Sequence, residues 1–376
     1  MSKLVLVDGA KGHTGSFLIK EILESKPNWQ IIATDLPIDS RKKLMKKETI
    51  FSSELKQMDE FLIDPRVEFL PTDLTKPETL EALFQGRKYD FIFHPASLYD
   101  YFALLDILRE INVEGIRNLL ELIIKTQDLK KLVFVHWSTC GVYGEPKYEK
   151  DLRGYPIPAD ERAPYDPPNY YSISKMEQEL VLKEYVKEHE LKSIIIRPAP
   201  IIGPYQTYGA YHILMMINKL GFAPGLHIYP KKKRLAMPLI HIEDLVRAAV
   251  FLAEDERAIG EAFNLVINPC LQEDFLEYLG TLLNTDYINI PILWPLYKLL
   301  SKILFWIANR KEKKARKLDS RPQIDLSMAG YMNHQYHFSN EKIKMLGFNF
   351  KFPDYDDVTK DTVEWYLGNN WLESDY

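Results

Sequence analysis

Two cysteines in 376 residues, Cys140 and Cys270, are too few for a disulfide framework and lack the spacing of metal ligands. No apolar run at the start is long enough to be a secretory signal, because Asp8 and Gly9 interrupt the first one after four residues. Strong charge of one sign is missing too, and a net charge of −5 gives no global reason to expect a nucleic-acid partner. There is no internal repeat and no low-complexity tract. A cytoplasmic protein acting on a small molecule is expected. The composition is that of a soluble globular protein, 46% hydrophobic and 27% charged, and the length allows a large core.

Short β-branched runs alternate with helical patterns through the first half. Residues 3–8, 30–35, 66–70, 90–94, 131–138 and 192–198 read as strands, apolar almost throughout, as strands covered on both faces are. Helical patterns lie between them at 15–25 and 111–126, the second with Val113, Ile116, Leu119, Leu120 and Ile123 on one stripe. This alternation predicts an α/β fold, a doubly wound parallel sheet of Rossmann type. After residue 198 the regularity fades, although 238–255 reads as a helix and 261–266 as a strand returning to the sheet. The expected organisation is a cofactor domain over 1–198, rejoined by 236–268, and a smaller substrate-binding part over 199–376. Residues 37–65, with RKKLMKK, read as an insertion forming a solvated helix.

Gly9, Gly12 and Gly15 follow the first strand and open the first helix. Free N–H groups and the positive end of a helix dipole then converge at one point, which suits a pyrophosphate. Asp35 ends the second strand 20 residues after Gly15 (35 − 15), the separation of an acid that binds a ribose 2′-hydroxyl. Such a carboxylate repels a 2′-phosphate, so NAD is favoured over NADP. Asp73 follows the third strand, where an adenine ring is met.

Tyr-x-x-x-Lys occurs three times, at Tyr143/Lys147, Tyr171/Lys175 and Tyr229/Lys233. Tyrosine and lysine at i, i+4 share a face only on a helix. Pro146 breaks the first pair and Pro230 forces Tyr229 out of helical conformation, whereas the pattern after Tyr171 continues as a helix over 171–189. Moving a tyrosine pKa from about 10 to about 7 takes roughly 4 kcal/mol of differential stabilisation, so a neighbouring ammonium matters. Cys140 reads as packing, His241 and Asp244 as helix-capping or domain-tying groups, His94 as a partner of backbone groups, and KKKR at 231–234 as a solvated loop.

GAKGHTG (9–15), TDLT (72–75), HPAS (94–97), NVEG (112–115), STCGVYG (138–144), YYSISK (170–175), RPAPIIGP (197–204) and IHIEDLVRA (240–248) together resemble the extended short-chain dehydrogenases/reductases. That family includes nucleotide-sugar epimerases and dehydratases and the 3β-hydroxysteroid dehydrogenases. The resemblance implies Tyr171 as general acid/base, Lys175 as its pKa-lowering partner that also binds the nicotinamide ribose, and Thr139 as the group that hydrogen-bonds the reacting oxygen, with Ser138 a weaker candidate. It implies a cofactor site lined by Gly9, Gly12, His13, Thr14, Gly15, Asp35, Asp73, Leu74, Ala96 and Ser97, with Asn112, Pro198 and Ala199 in the same wall. Tyr99, Thr139 and Pro200 would face substrate.

Pro200 stands where nucleotide-sugar enzymes of the family usually carry an asparagine, and it offers no side-chain donor. Residues 291–309 are densely apolar, with Lys298, Ser301 and Lys302 on one narrow stripe, and six basic residues follow within 310–317. The run is too short and too charged to span a bilayer, but an apolar helix with a basic flank over 291–317 suits the surface of an anionic membrane. The same region looks like the C-terminal part of 3β-hydroxysteroid and sterol-4-carboxylate dehydrogenases. The expectation is therefore an NAD-dependent alcohol dehydrogenase or ketone reductase acting on a sterol-like or other lipidic substrate, as a homodimer with peripheral membrane contact. A nucleotide-sugar epimerase or dehydratase with tightly bound NAD is the alternative, and a non-catalytic NAD-binding sensor the third reading.

Overall fold

The computed structural model describes residues 2–37, 60–207, 209–318, 320 and 334–372. Most of the insertion expected over 37–65 lies outside them. Seven parallel strands form the main sheet in the order β10-β6-β5-β4-β1-β2-β3. In chain order the first six are β1 (Lys3–Val7), β2 (Trp29–Ala33), β3 (Val67–Phe69), β4 (Phe91–His94), β5 (Val133–Trp137) and β6 (Lys192–Pro198). The seventh, β10 (Ala262–Leu265), returns to pair beside β6.

Both faces of the sheet are buried, which explains why its strands carry few polar residues. Val5, Val7, Phe93 and Val135 enter one core with the helices His13–Ser25 and Ile242–Glu254. Leu6, Ile92, Phe134 and Ile195 enter the other, against Leu119, Leu120 and Ile123 of the helix Gly115–Thr126. That helix is preceded by a π-helical segment, Arg109–Glu114, rather than starting as one regular element at 111.

The part beyond β6 is more ordered than its sequence suggests. Ile201–Ile202 (β7) pairs with Ile240–His241 (β9), and Phe222–Tyr229 (β8) pairs in parallel with Asp286–Leu293 (β11) over eight residues. Residues 291–293 thus belong to a strand, and the apolar and basic stretch is one helix, Trp294–Lys317, with Pro295 in its first turn. Leu214, Ile217, Leu279 and Tyr366 centre a separate core for this part.

The β1 turn is tightly packed. Gly9 has φ +58°, and a Cβ there would meet the Ala96 backbone at 2.9 Å. A Cβ on Gly15 would stand 2.1 Å from the Gly9 carbonyl oxygen. Gly15→Ala is therefore expected to cost about 2–3 kcal/mol, the scale of overpacking against backbone. Gly86→Ala, at φ +68° but with nothing within 4 Å, should cost only about 1 kcal/mol. Urea midpoints of the two variants test this; equal losses would mean that helix and strand are not held so closely.

Candidate functional site

The carboxyl ends of β1, β2, β3, β4, β5 and β6 lie on one edge of the parallel sheet, and most residues proposed from sequence for cofactor or catalysis follow one of these ends or lie on the helices His13–Ser25 and Tyr170–His189; Asn112 lies in the segment Arg109–Glu114. Strand order reverses between β1 and β4, and open α/β sheets bind ligands at such a crevice. The helix after β1 begins at Gly12 with no side-chain cap, so its first N–H groups face the edge without a side-chain partner from the cap residue. Asp35 closes the turn from the β2 side: its carboxylate accepts the Lys11 N–H at 2.8 Å and the Leu36 N–H at 2.7 Å. Asp73 is held by Thr75 N–H and hydroxyl at 3.0 and 2.7 Å. Burial pushes its carboxyl up, but these bonds and Lys76 leave it below the usual range. Leu74 packs against Gly115, where a Cβ would meet it at 3.2 Å. The Ala96 N–H donates to Asp8, and the Ser97 hydroxyl is buried without a partner. A turn that only glycines can occupy, an uncapped helix start and a carboxylate at the second strand fit a dinucleotide.

Three members of the expected wall are occupied otherwise. The half-buried Thr14 lies in the first turn of the helix, but His13 sets Nε2 against the Pro204 carbonyl at 2.8 Å, and burial of its ring lowers its pKa to about 4. Asn112 is buried and spends its side chain inside the protein, accepting the Leu98 N–H at 2.7 Å and donating to the Ser174 hydroxyl at 3.0 Å. It braces the loop after β4 against the helix Tyr170–His189. Ala199 is buried with Pro198 at the end of β6 and donates its N–H to Leu265, while the Pro200 carbonyl accepts from Ile240.

Tyr171 and Lys175 lie one turn apart on a helix capped by Asn169, whose side chain accepts the Ser172 N–H. The Lys175 side chain is buried and its Nζ donates to the Trp137 carbonyl at 2.7 Å. Burial lowers its pKa to about 7, against the opposing pull of Asp8 and Glu179. Tyr99 and Tyr101 stand edge-on to the Tyr171 ring, with centroids at 4.9 and 5.4 Å. Thr139 caps the turn Cys140–Tyr143, its Oγ1 accepting the Gly141 N–H at 3.1 Å and leaving its own proton to donate. Gly141 brings Thr139 and Ser172 together, since a Cβ there would meet both.

Ser138 is not a second candidate for the reacting oxygen. Its hydroxyl donates to Glu179 at 2.5 Å, inside a buried network. Arg197 grips both oxygens of Glu179, at 2.6 and 2.9 Å, and also donates to the Tyr143 hydroxyl, which donates in turn to Asn264. Burial alone would raise the Glu179 carboxyl, but Arg197, Ser138 and Tyr165 hold it below the usual range.

Cys140 donates its thiol to the Arg197 carbonyl, and burial pushes its pKa far up, as packing requires. His94, expected to serve backbone groups, pairs instead with the Asp8 carboxylate. His241 caps its helix and reaches Asp361 at 3.0 Å, while Asp244 accepts the Lys351 and Phe352 N–H groups. Lys231, Lys232 and Lys233 are exposed, but Arg234 pairs with Glu273. Sequence reasoning misses Asp8, His136, Glu179 and Arg197, single polar residues whose burial shows only once their partners are placed.

Residues 5–265 match the family model described as the NAD dependent epimerase/dehydratase family. A dTDP-D-glucose 4,6-dehydratase of Bos taurus is 23% identical over 383 residues, covering 100% of this chain and 92% of that protein. An anthocyanidin reductase of Arabidopsis thaliana is 25% identical over 291 residues, 73% of this chain and 80% of that one. The crystal structure of a UDP-glucose 4-epimerase from Thermotoga maritima, solved with UDP-glucose, shares the fold with a TM-score of 0.67 at 19% identity, covering 98% and 99% of the two chains. The chain belongs to the NAD dependent epimerase/dehydratase family, and it is an NAD-dependent enzyme.

Two expectations follow from this geometry. Asp35→Ser should weaken NAD and improve NADP relative to it, because the repulsion of a 2′-phosphate disappears. Titrations with both cofactors check it, and an unchanged preference would reduce Asp35 to a strand-end residue. Lys175 has a folded pKa of about 7 against 10.5 for an ordinary lysine. Folding therefore carries a penalty that is fully present below about pH 7 and fades as pH rises toward 10.5. Relative to Lys175→Met, the wild-type apoprotein should gain up to about 1.4 kcal/mol of stability per pH unit above neutrality. A pH-independent difference in urea unfolding would show that Lys175 keeps its ordinary charge.

Proposed function

We propose that this family member takes a proton and a hydride from a secondary alcohol of a nucleotide sugar and returns them within the same site, as an epimerase-type oxidoreductase. The observation that carries the reading is the placement of Tyr171 and Thr139 at the carboxyl edge, with Lys175 buried beneath them. The tyrosine phenol is half of an acid/base pair whose charge the lysine sets. Tyr171, as phenolate, takes the hydroxyl proton at Oη and becomes the phenol, and the Thr139 hydroxyl donates to the reacting oxygen, holding it in line. NAD, when bound, supplies the hydride acceptor. Gly9, Gly12 and Gly15 would hold its pyrophosphate and Asp35 its adenosine ribose. Burial disfavours the charge on Lys175, and an anionic cofactor beside it would favour that charge.

The nucleotide-sugar class is supported by the names of the Bos taurus and Thermotoga maritima relatives. The epimerase type is favoured over a dehydratase on chemical grounds. Expelling water from the neighbouring carbon takes a second proton donor, and Cys140 and Gly141, which follow Thr139, supply none: the thiol is spent on the Arg197 carbonyl. A second reading keeps the same chemistry on a sterol-like or other lipidic alcohol. Pro200, with no amide to offer a diphosphate, and the tyrosines around Tyr171 favour it. Mass spectrometry of the molecule that co-purifies separates the two: a nucleoside diphosphate supports the first and a lipid the second.

Tyr171→Phe should lose at least about 100-fold in turnover, the scale of a positioned acid/base, with NAD affinity nearly intact. The phenyl ring keeps its packing on Tyr99 and Tyr101 and loses only the proton-transfer group. Turnover within a few-fold of wild type would sink the role of Tyr171.

A further inference from the structure

The helix Trp294–Lys317 rests on the protein along one narrow stripe: Tyr297, Ser301, Ala308 and Ala315 are its buried residues. At about 100° per residue these fall within about 40° of one another. Leu296, Leu299, Leu300, Ile303, Leu304 and Ile307 occupy a separate arc of about 140°. All six are exposed, Leu299 to 56% and Leu296 to 50%, and Trp306 at the arc's border is exposed to 53%. Six neighbouring apolar side chains turned to water on one helix need a cover. Continuing along the same arc, the next residues are Arg310, Lys311, Lys314 and Lys317, all exposed. The one acid of this stretch, Glu312, lies off the arc and is paired with Arg316. Arg310 sets its guanidinium 4.1 Å over the Trp306 ring, at the junction of the apolar and basic halves.

We propose that this arc docks the protein on the surface of an anionic bilayer. The apolar half, about 17 Å from Leu296 to Ile307, suits shallow insertion among acyl chains, and the cations beyond it lie where phosphate headgroups would be. No helix among the described residues is long and apolar enough to cross a membrane, so the contact is with the surface. Charge selects this occupant over a second copy of the chain. An isologous contact would set the cations of one arc against the cations or the leucines of the other, with no acid on either arc to neutralise them. The same helix, on a side away from the arc, also touches the loop beside Tyr171. Arg316 lies 4.1 Å over Phe102, in the loop whose Tyr99 and Tyr101 stack on Tyr171. Leu104 and Ile107, just beyond that loop, are exposed as well.

The full chain, loaded with NAD, is expected to co-sediment with phosphatidylcholine vesicles containing phosphatidylserine, less so at high salt and less with phosphatidylcholine alone. Lys311→Ser/Lys314→Ser/Lys317→Ser should weaken this partitioning roughly 100-fold. Leu300→Glu/Ile303→Glu should abolish it. NAD titration checks that both variants are folded, and the lysine variant, altered only at exposed positions, carries the test if the other fails to fold. Wild type remaining in the supernatant with anionic vesicles overturns the proposal, as does pelleting that the lysine changes leave untouched. Wild type that ignores vesicles but is a dimer dissociated by Leu300→Glu/Ile303→Glu assigns the arc to a second copy and overturns it too. Vesicle binding is read without turnover, so its failure is distinct from a failure of Tyr171→Phe.

Discussion

The placement of the Tyr171/Lys175 helix depends on one buried ion pair. Glu179 lies one turn beyond Lys175 and two beyond Tyr171 on the same helix, and Arg197 on β6 holds both of its carboxylate oxygens. Ser138 at the end of β5, Tyr143 in the following turn and Asn264 on β10 join the same network. A buried charge pair adds little net stability over a well-packed apolar substitute, but removing one partner costs about 3–5 kcal/mol. What the pair provides is register. It ties the helix to the sheet two turns beyond Tyr171 and one beyond Lys175, whose Nζ reaches the Trp137 carbonyl.

The same interior is built to hold a lysine whose charge is costly. Asp8, just past β1, stands beside His94 on β4 and His136 on β5, on the face covered by the helix Tyr170–His189. Asp8 pairs with His94, and His136 stacks on His94 with ring centroids at 5.5 Å. Among the described residues neither His136 ring nitrogen has a partner, and burial, then Lys175, keeps that ring neutral. Asp8 is therefore the buried acid that, with Glu179, opposes the desolvation of Lys175. The acid after β1 and the lysine of the helix Tyr170–His189 are thus coupled electrostatically, though they lie far apart in the chain.

Much of the sheet was legible in the sequence because a strand covered on both faces has one simple signature, an apolar run; β1, β4 and β5 follow it most closely, while β3 carries an exposed Glu68. The glycine turn and the Tyr171 helix were legible because steric exclusion and proline placement leave few alternatives. The anchors were not. Glu179 and Arg197 sit in a helix with almost no amphipathic pattern and in a strand end, and a buried charge looks like a surface charge until its partner is known. The pairing of β8 with β11 was missed for a related reason: Pro224 and Gly225 break the strand pattern, and the partner strand lies some sixty residues later. The helix Trp294–Lys317 was read as apolar then basic, but only its packing shows that both halves share one exposed arc. Substrate class was the least legible. Pro200 and the apolar helix pointed to a lipidic alcohol, whereas relatives named for nucleotide sugars favour the other branch.

A crystal structure of the chain grown with NAD tests the central claim most directly, because it locates pyrophosphate, ribose and nicotinamide at once. The expected result has the pyrophosphate on the N–H groups around Gly12, Asp35 on the adenosine ribose, and nicotinamide C4 within about 3–3.5 Å of a reacting carbon that is itself in reach of Tyr171 and Thr139. The Arg197–Glu179 pair should be unmoved. A nicotinamide bound away from Tyr171, or a pyrophosphate that bypasses the glycine turn, would contradict it.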